Sequence, residues 1–396
     1  MNMKADLKMN SKQRLMAAIN RQQVDHIPLR LLMMYSSENI PFSWENQVER
    51  VEKVLEMGFD DGLWLEPPLG YVEAYDTAKV PGVKSNVGSI PPSVEDSYPL
   101  LVKEYETPEG TLRQIVRKTD DWPYGDDVYL FSDFNVSRSK EYIVKSESDL
   151  QKLKYLLNSP DAGQMEEYRK HAKYLRQEAE RLGVVLEGGW TALGDAAIWL
   201  YGMENTIVAQ KEDPELLEKL MDVLVEWELK RVDHLLDEGV DVIVHMAWYE
   251  GTDFWTPASY RKIIKPRLAR IVGRVHQRGR KFRYIITKGW KPLAEDFVEI
   301  GIDCISGVDP VQDNIDLKEV KDRIGDKICL MGGVNSAVML NQHTKSEIID
   351  AVHKAFEILA PGGGFILYPV DQIFTDTPWS SVQVLVDAWR TECRKL

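Results

Sequence analysis

"KICLMGGVNSAVMLNQHTKSEIIDAVHKAFEILAPGGGFILYPV", residues 327–370, contains two short apolar runs separated by an amphipathic helical pattern. The runs at 327–334 and 363–370 have the length and composition of buried strands, and 344–360 carries apolar residues at helical spacing. Two parallel strands in one sheet need a crossover connection, which is usually a helix and almost always right-handed. The stretch therefore predicts an α/β fold with a parallel sheet.

The same alternation of apolar runs and amphipathic helices continues along most of the chain. Eight parallel strands with intervening helices are the number that closes a (β/α)8 TIM barrel, and 396 residues suit one such domain, 1–396, with an insertion. A doubly wound open sheet is the alternative. The predicted strands are 26–34, 61–66, 184–189, 240–248, 281–287, 302–308, 327–334 and 363–370.

Residues 67–150 interrupt the alternation. Inside them, "LLVKEYETPEGTLRQIVRKT" (100–119) has two arms of alternating polar and apolar residues around a Pro-Glu-Gly turn, which is typical of an antiparallel hairpin. We expect an insertion after the second predicted strand, packed beside the barrel or over its mouth.

Composition excludes several classes of protein. A chain with 44% hydrophobic and 28% charged residues is typical of a globular protein rather than a disordered one. The net charge of -14, without a basic stripe, argues against nucleic-acid binding. Apolar runs shorter than ten residues and an amino terminus without a secretory signal predict a cytoplasmic protein that does not enter a membrane. The three cysteines form no CxxC pair, so we expect reduced thiols.

Barrel enzymes place their chemistry at the carboxyl ends of the strands, and polar or aromatic residues follow most of the predicted strands. Acids there could donate a proton, a lysine could hold an anion, and aromatic side chains could line a flat substrate. The predicted catalytic residues are Asp371, Glu66, Glu250 and Lys288, and the predicted substrate-binding residues are Tyr35, Trp64, Trp190, His245, Trp248 and Met33.

Several of these residues also have a structural interpretation. Asp309 and Asn335, which follow other strands, are expected to serve as turn or cap residues. Asp371 is less suited to capping, because Thr377 and Pro378 provide the expected start of the next helix. His245 follows a buried run and could be a hydrogen-bonded core histidine. The tryptophans could belong to the core as well as to a substrate site.

Four stretches resemble the uroporphyrinogen decarboxylase superfamily, and together they run through essentially the whole chain. They are "SKQRLMAAINRQQVDHIPL" (11–29), "EYETPEGTLRQIVR" (104–117), "IGIDCISGVDPVQDNIDLKEVKDRIGDKICLMGGVN" (300–335) and "APGGGFILYPVDQIFTDTPWSSVQVLVDAW" (360–389). The resemblance implies a (β/α)8 barrel and one of two activities, porphyrinogen decarboxylation or cobalamin-linked methyl transfer.

The chain departs from both branches of that family. Where the decarboxylases carry an arginine-rich segment for the porphyrin carboxylates, residues 31–37 read "LLMMYSS". The family's strand-two aspartate corresponds to Glu66 and its strand-eight histidine to Asp371. The zinc ligands of the coenzyme M type of methyltransferase fall on Ile285, Thr287 and Asp371, so that zinc motif is absent. A metal held by His245, Glu250 or Asp371 stays open.

The resemblance and these departures favour a corrinoid-dependent methyltransferase, the O-demethylase component that moves a methyl group from a small methoxylated aromatic donor to cob(I)alamin on a partner corrinoid protein. An acid such as Asp371 would protonate the leaving oxygen, and Lys288 could hold a substrate carboxylate. A decarboxylase of a small carboxylic acid and a non-catalytic binding protein are the alternatives. The oligomeric state stays open, a homodimer included.

Overall fold

A computed structural model of the chain describes residues 8–34, 39–286 and 288–395. The strands in this part of the chain are β1 (Gly62–Leu65), β2 (Lys84–Ile90), β3 (Leu100–Thr107), β4 (Gly110–Arg117), β5 (Ser139–Glu141), β6 (Val185–Thr191), β7 (Val242–Met246), β8 (Lys281–Ile285), β9 (Cys304–Val308), β10 (Cys329–Asn335) and β11 (Phe365–Val370).

Seven of these strands form one parallel sheet in the order β1-β6-β7-β8-β9-β10-β11. Every neighbouring pair in it is parallel, and the spatial order follows the order along the chain. A doubly wound sheet would instead reverse its order at a switch point. The fold is therefore α/β with a curled parallel sheet, and the doubly wound alternative is wrong.

The predicted first strand, 26–34, does not form a strand of the sheet. It makes two isolated parallel bridges, Leu29 with Leu367 of β11 and Arg30 with Asp60 just before β1. Pro28 has no amide hydrogen to donate, which shortens the ladder that this segment could form. The sheet thus has seven strands in the described chain instead of the predicted eight, and no continuous ladder closes it.

Helices connect the strands and cover the outside of the sheet. Helix α13 shows why they form: the Thr344 hydroxyl accepts from the Glu347 amide, the Glu347 carboxylate accepts from the Thr344 amide, and the apolar residues recur at helical spacing. The helices are α1 (Ser11–Ile19), α2 (Gln47–Glu56), α3 (Asp133–Val136), α4 (Glu147–Leu156), α5 (Ala162–Leu182), α6 (Gly194–Tyr201), α7 (Met203–Glu212), α8 (Pro214–Asp237), α9 (Pro257–Ser259), α10 (Lys265–Gln277), α11 (Ala294–Ile300), α12 (Leu317–Ile324), α13 (Lys345–Leu359) and α14 (Trp379–Cys393).

Three short 3₁₀ turns and two π-helical segments complete the helical structure of the described ranges. They are Val72–Ala74, Thr77–Lys79 and Lys291–Leu293, and Tyr260–Ile264 and Ser336–Leu340. No helix within the described ranges is long and apolar enough to cross a lipid bilayer.

Alternate residues of the parallel strands face two different surfaces, as the period of a strand requires. One set packs against the helices in the main core, and the other forms a separate cluster that we call the inner face. Helix α1 adds Leu15, Ala18 and Ile19 to this cluster and contacts β6 and β11. It therefore covers one end of the inner face. The inner face consists of Val185, Val242, Val244, Cys304, Cys329, Met331, Ile366, Tyr368 and Val370.

A second sheet lies in the chain between β1 and β6. Its four strands are antiparallel in the order β2-β3-β4-β5, and β3 and β4 pair around the turn at Pro108 and Glu109. Its alternation buries Tyr105 of β3 and Leu112 of β4, and both strands contact α4. The sheet therefore packs its apolar side on that helix.

Candidate functional site

The inner face opens at the carboxyl ends of the strands. Near the amino ends its side chains are buried, as at Val185, Val242 and Cys304. Near the carboxyl ends several side chains that pack on it are only half-buried, although Val370 at the end of β11 is buried. We call this half-buried end the mouth. It is lined by Leu32, Trp64, Trp190 and Ile285.

Three predicted tryptophans meet at the mouth. The rings of Trp64 and Trp190 lie edge to face with centroids 5.8 Å apart, and those of Trp190 and Trp248 do so at 6.2 Å. A bulge in β6 aims the central ring, because Gly189 and Thr191 pair with consecutive residues of β7 and leave Trp190 as the extra residue. At Gly189 a Cβ would lie 2.6 Å from the Val244 carbonyl oxygen, so only glycine fits before the bulge.

Glu73, which the sequence analysis missed, is bonded to the central tryptophan. Its carboxylate accepts a hydrogen bond from Trp190 Nε1 at 3.2 Å. Burial raises the pKa of Glu73, and the neighbouring Asp133 carboxylate raises it further. The Tyr249 hydroxyl and Trp199 Nε1 donate to Asp133 at 3.0 and 2.8 Å. Glu73 lies in the 67–150 segment, so no strand-end pattern could indicate it, but a half-buried acid on this side of the mouth is now part of the candidate site.

Asp371 stands at the carboxyl end of β11 and is half-buried. Burial raises the pKa of its carboxyl group, and the Asp309 carboxylate acts in the same direction. Among the described residues no side chain or amide donates a hydrogen bond to the Asp371 carboxylate, while its backbone carbonyl accepts from the Tyr368 hydroxyl. Helix α14 begins later, at Trp379. Asp371 therefore does not cap that helix.

The helix start that we expected from Thr377 and Pro378 is wrong in detail. Pro378 is itself the N-cap, no side chain caps α14, and the Thr377 hydroxyl instead accepts from the Phe374 amide at 3.2 Å. Proline fixes a backbone angle suited to a helix start, but its side chain has no hydroxyl that could accept from the helix amides. The Thr377 hydroxyl is hydrogen-bonded within the preceding turn instead of to the helix.

Asp309 and Asn335 have the structural role that the sequence predicts. Asp309 accepts from the Val311 and Gln312 amides and from Asn335 Nδ2, at 2.8, 3.2 and 2.7 Å. Asn335 in turn accepts from the Val338 amide at 2.6 Å and caps the π-helical segment. Both side chains are fully buried and bonded, so they hold the loops of β9 and β10 together.

A buried ion cluster lies on the inner face, and we call it the arginine cluster (Arg30, Glu187 and Arg283). Arg30 Nη1 and Nη2 donate to Glu187 Oε1 and Oε2 at 2.8 and 2.5 Å, and Arg283 Nη1 lies 3.1 Å from Oε1. Burial alone would raise the pKa of Glu187, but the two guanidinium groups lower it to about 2. An arginine inside an apolar run, as in "PLRLL" and "KFRYI", was the sequence signal for this cluster.

His245 and Glu250 lie away from the inner face. His245 is on the same side of β7 as the core residue Ile243, and its ring stacks on Tyr284 at 5.4 Å. Its Nδ1 is 2.7 Å from the Thr191 hydroxyl, and its Nε2 is 3.1 Å from Glu250 Oε1. The interpretation of His245 as a hydrogen-bonded core histidine therefore describes it, and the structure does not place it among the substrate-binding residues.

Glu250 is completely buried and also accepts from Tyr284 Oη at 2.5 Å and from the Gly194 amide at 2.8 Å. Burial would raise the pKa of Glu250, but His245 and these donors lower it. An ionised and fully bonded carboxylate is a poor proton donor, so this geometry does not favour Glu250 as a catalytic acid.

The remaining predicted residues occupy varied positions. Glu66 is exposed beside the mouth, and partial burial still raises its pKa. Lys288 is 60% exposed and pairs with Asp253 at 3.3 Å, so it lies on an open rim. Met33 is buried in the core outside the inner face, where Leu32 takes the inward position. Tyr35 lies outside the described residues.

The three predicted metal candidates are not brought together. His245 and Glu250 are neighbours behind the sheet, whereas Asp371 directly follows the carboxyl end of β11. Across the described ranges, no group of three or more His, Cys, Asp and Glu side chains could hold a metal ion. A surface cavity of about 500 Å³ between α4 and α8, lined by Trp227 among others, contains no strand-end residue. The mouth is therefore the candidate site.

Comparison with known proteins places this site in a family. The family model described as uroporphyrinogen decarboxylase (URO-D) matches residues 129–392. The uroporphyrinogen decarboxylase of Thioalkalivibrio sulfidiphilus is 26% identical over 179 residues, 44% of this chain and 49% of that protein. That of Trichodesmium erythraeum is 24% identical over 173 residues, 43% and 46% of the two proteins. The chain thus aligns with about half the length of these curated relatives.

A solved structure resembles nearly the whole chain. It is described as a methyltransferase from Methanosarcina mazei and aligns with a TM-score of 0.61 and 19% identity, over 97% of this chain and 99% of that one. At this identity the likeness shows a common fold.

Proposed function

Since the chain belongs to the uroporphyrinogen decarboxylase family, we propose that it is a methyltransferase of that family, which takes the methyl group of a small methoxylated aromatic compound and passes it to cob(I)alamin on a partner corrinoid protein. The observation that carries the proposal is Asp371, an acid with a raised pKa and no hydrogen-bond donor to its carboxylate among the described residues, which follows the carboxyl end of β11 in the same sheet whose mouth carries the tryptophans. The solved structure described as a methyltransferase has the same fold.

The walls of the mouth support an aromatic donor. The ring of Trp190 stands nearly at right angles to those of Trp64 and Trp248, which leaves flat apolar surfaces beside the opening. A benzene ring gains both buried area and edge-to-face contacts against such walls. A porphyrinogen with its many carboxylates would need several free cations at the mouth, but Lys288 is paired with Asp253, and Arg30 and Arg283 lie buried around Glu187.

Asp371 supplies the acid that this reaction needs. Breaking the bond between the methyl carbon and the aryl oxygen leaves an electron pair on that oxygen, and the protonated Asp371 carboxyl can deliver the proton that turns it into a phenol. The partner's corrinoid supplies a strong nucleophile and takes the methyl group as a second substrate. Since no donor set for a metal is assembled at the mouth within the described ranges, no step is assigned to a metal.

The proposal also covers the architecture of the whole chain, which includes a closed barrel and the position of the 67–150 segment. We infer that residues 1–396 form a single (β/α)8 barrel domain in which the segment around Leu29 and Arg30 takes the place of the missing strand, because it bridges to both β11 and the start of β1. The 67–150 segment would then be an insertion at the mouth, and the bond from Trp190 to Glu73 supports that position.

Decarboxylation of a small carboxylic acid is the second candidate. The curated relatives that match the chain are uroporphyrinogen decarboxylases. In this reaction the carbon that loses carbon dioxide takes the electron pair, and Asp371 would protonate it. The chemistry at Asp371 is thus the same, and the bond that breaks is different.

The test is a donor panel with purified protein and chemically reduced cob(I)alamin. Methoxybenzenes with different ring substituents are added, and methylcobalamin is followed by absorption while the phenol is measured by chromatography. We expect equal amounts of both products from at least one donor and no coproporphyrinogen from uroporphyrinogen. Release of carbon dioxide from an aromatic acid without methyl transfer would favour the decarboxylase, and saturable binding without either product would favour a binding protein.

A further inference from the structure

The arginine cluster carries more positive than negative charge. Arg30 uses two nitrogens on the two oxygens of Glu187, and Arg283 shares one of those oxygens. Asp61, the other carboxylate near Arg30, is 3.6 Å from Arg30 Nη2 and is already bonded to Arg50 at 2.6 Å. Three guanidinium groups thus share two carboxylates in a region where buried charge normally has a partner.

Arg283 is the member with spare hydrogen-bonding capacity. Its Nε is buried and has no hydrogen-bond partner within the described ranges, and its Nη1 is ion-paired with Glu187 Oε1 at 3.1 Å and otherwise reaches only Met331 Sδ, at 4.0 Å. Burial lowers the pKa of Arg283. The Glu187 carboxylate raises this pKa and so offsets part of the effect of burial, whereas the Arg30 charge lowers it further. A buried hydrogen-bond donor without an acceptor destabilises a protein unless a ligand or a water molecule accepts its hydrogen bond.

Other buried arginines of the chain show what a purely structural arginine looks like. Arg14 donates from all three nitrogens, to Asp25, Asp60 and the Met9 carbonyl. Arg267 likewise donates to Asp222 and to two carbonyl oxygens. Both are about as buried as Arg283. Arg231 Nη2 is also buried without a hydrogen-bond partner, but that guanidinium packs over the Trp227 ring at 4.3 Å, whereas no ring lies against Arg283 within the described ranges.

The unfilled donor lies on the inner face, below the mouth. Arg283 is two residues before Ile285 on β8, so both side chains point inward, and Ile285 is half-buried where the mouth begins. Burial raises the pKa of Tyr368, so its hydroxyl is neutral. Tyr368 is close enough to both Arg283 and Asp371 for their charges to act on it. A ligand that reached Arg283 from the mouth would keep its apolar body beside Trp64 and Trp190.

We propose that Arg283, supported by Arg30, is a carboxylate-binding subsite, and that the substrate is an aromatic carboxylic acid held with its carboxylate on Arg283 and its opposite end toward the mouth. This inference rests on the proposed function for the identity of the ring substituent, but the anion subsite itself does not depend on the reaction. It assigns to Arg283 the role that the sequence suggested for Lys288.

Binding calorimetry without cobalamin tests the subsite. The probes are 4-methoxybenzoate and its neutral, nearly isosteric amide, 4-methoxybenzamide. A charge-assisted hydrogen bond to a buried guanidinium should make the acid bind about 10- to 100-fold more tightly than the amide. Equal affinities for acid and amide in the wild-type protein would overturn the proposal, and this comparison needs no variant to fold.

Four variants locate the effect. Arg283→Met should remove the preference for the acid and leave the amide affinity unchanged, and Arg283→Lys should restore part of the preference. Lys288→Met tests the rival cation, and Arg270→Met, which removes a cation paired with Glu226 on the surface, is the matched control; both should keep the full preference. A preference that survives Arg283→Met, or that Lys288→Met abolishes, would refute the assignment.

The two proposals fail separately. A protein that binds the acid selectively through Arg283 but never methylates cob(I)alamin would refute methyl transfer and leave the subsite standing. A protein that demethylates neutral and acidic donors equally well, with no effect of Arg283→Met on the KM for the acid, would refute the subsite and leave methyl transfer standing.

Discussion

Replacing Glu187 by Gln should destabilise the protein strongly, because it removes the carboxylate that Arg30 and Arg283 share. The side chain is 3% exposed, so solvent cannot replace the lost charge. Its pKa is lowered from 4.5 to about 2, and since each unit corresponds to about 1.4 kcal/mol, ionised Glu187 contributes about 3 kcal/mol. Breaking a buried pair in other proteins costs about 3–5 kcal/mol. We therefore expect a loss of about 3–5 kcal/mol.

The assay is equilibrium unfolding in urea at several pH values. A group whose pKa is lower in the folded state contributes its full stability above its unfolded pKa, and that contribution is lost as the pH falls through the folded pKa. The difference between wild type and Glu187→Gln should thus be constant from about pH 7 to about pH 5 and shrink below about pH 4.5 toward pH 2. Glu226→Gln removes an exposed partner of Arg270 and should change stability by less than about 1 kcal/mol.

Two results would refute this reasoning. One is a Glu187→Gln variant within about 1 kcal/mol of the wild type at pH 7, which would mean that the arginines relax to solvent. The other is a difference that persists unchanged down to about pH 2, where protonation should have removed most of the contribution of the Glu187 charge.

Replacing Asp371 by Asn should lower the rate of methyl transfer about 10²- to 10⁴-fold with folding preserved, and Asp376→Asn, an exposed acid nearby, should keep the wild-type rate. The wild-type rate should fall as the pH rises through the raised pKa of Asp371, since the donor must be protonated; a near-full rate in Asp371→Asn would return this residue to a structural role. Replacing Asn335 by Ala removes bonds to Asp309 and to the Val338 amide and should lower the free energy of unfolding by about 1–3 kcal/mol in urea titrations, and a change under about 0.5 kcal/mol would contradict the capping role.

Seven of the eight predicted strands are strands of the parallel sheet because parallel strands buried on both faces read as continuous apolar runs. The run at 327–334 contains most of β10, and the run at 363–370 contains β11. The run at 26–34 is just as apolar, yet it only bridges its neighbours. An apolar composition indicates that a segment is buried, but a buried segment does not always form a complete ladder of hydrogen bonds. In this segment Pro28 has no amide hydrogen to donate to such a ladder.

The residues of the site were harder to predict than its position. A strand-end pattern indicates at which end of the sheet a site is expected, but the surface that a side chain faces changes with every residue. Trp64 faces inward as expected, while Met33 and His245 have the opposite parity and enter the outer core. Trp190 reaches the mouth through a bulge, which single-sequence periodicity does not reveal. Glu73 depends on a contact between distant parts of the chain.

The two inner carboxyl groups, Glu187 and Asp371, differ because of what surrounds them. Both are largely withdrawn from solvent, yet two arginines lower the pKa of Glu187 to about 2, whereas burial and the Asp309 charge raise that of Asp371. Tyr368 is influenced by both groups, while neither Arg30 nor Arg283 acts on Asp371. An anion bound at Arg283 would therefore be neutralised by the cluster beneath it, while burial and Asp309 keep the pKa of Asp371 raised. Separate environments that push two pKa values apart are what let one site bind an anion and donate a proton at the same pH.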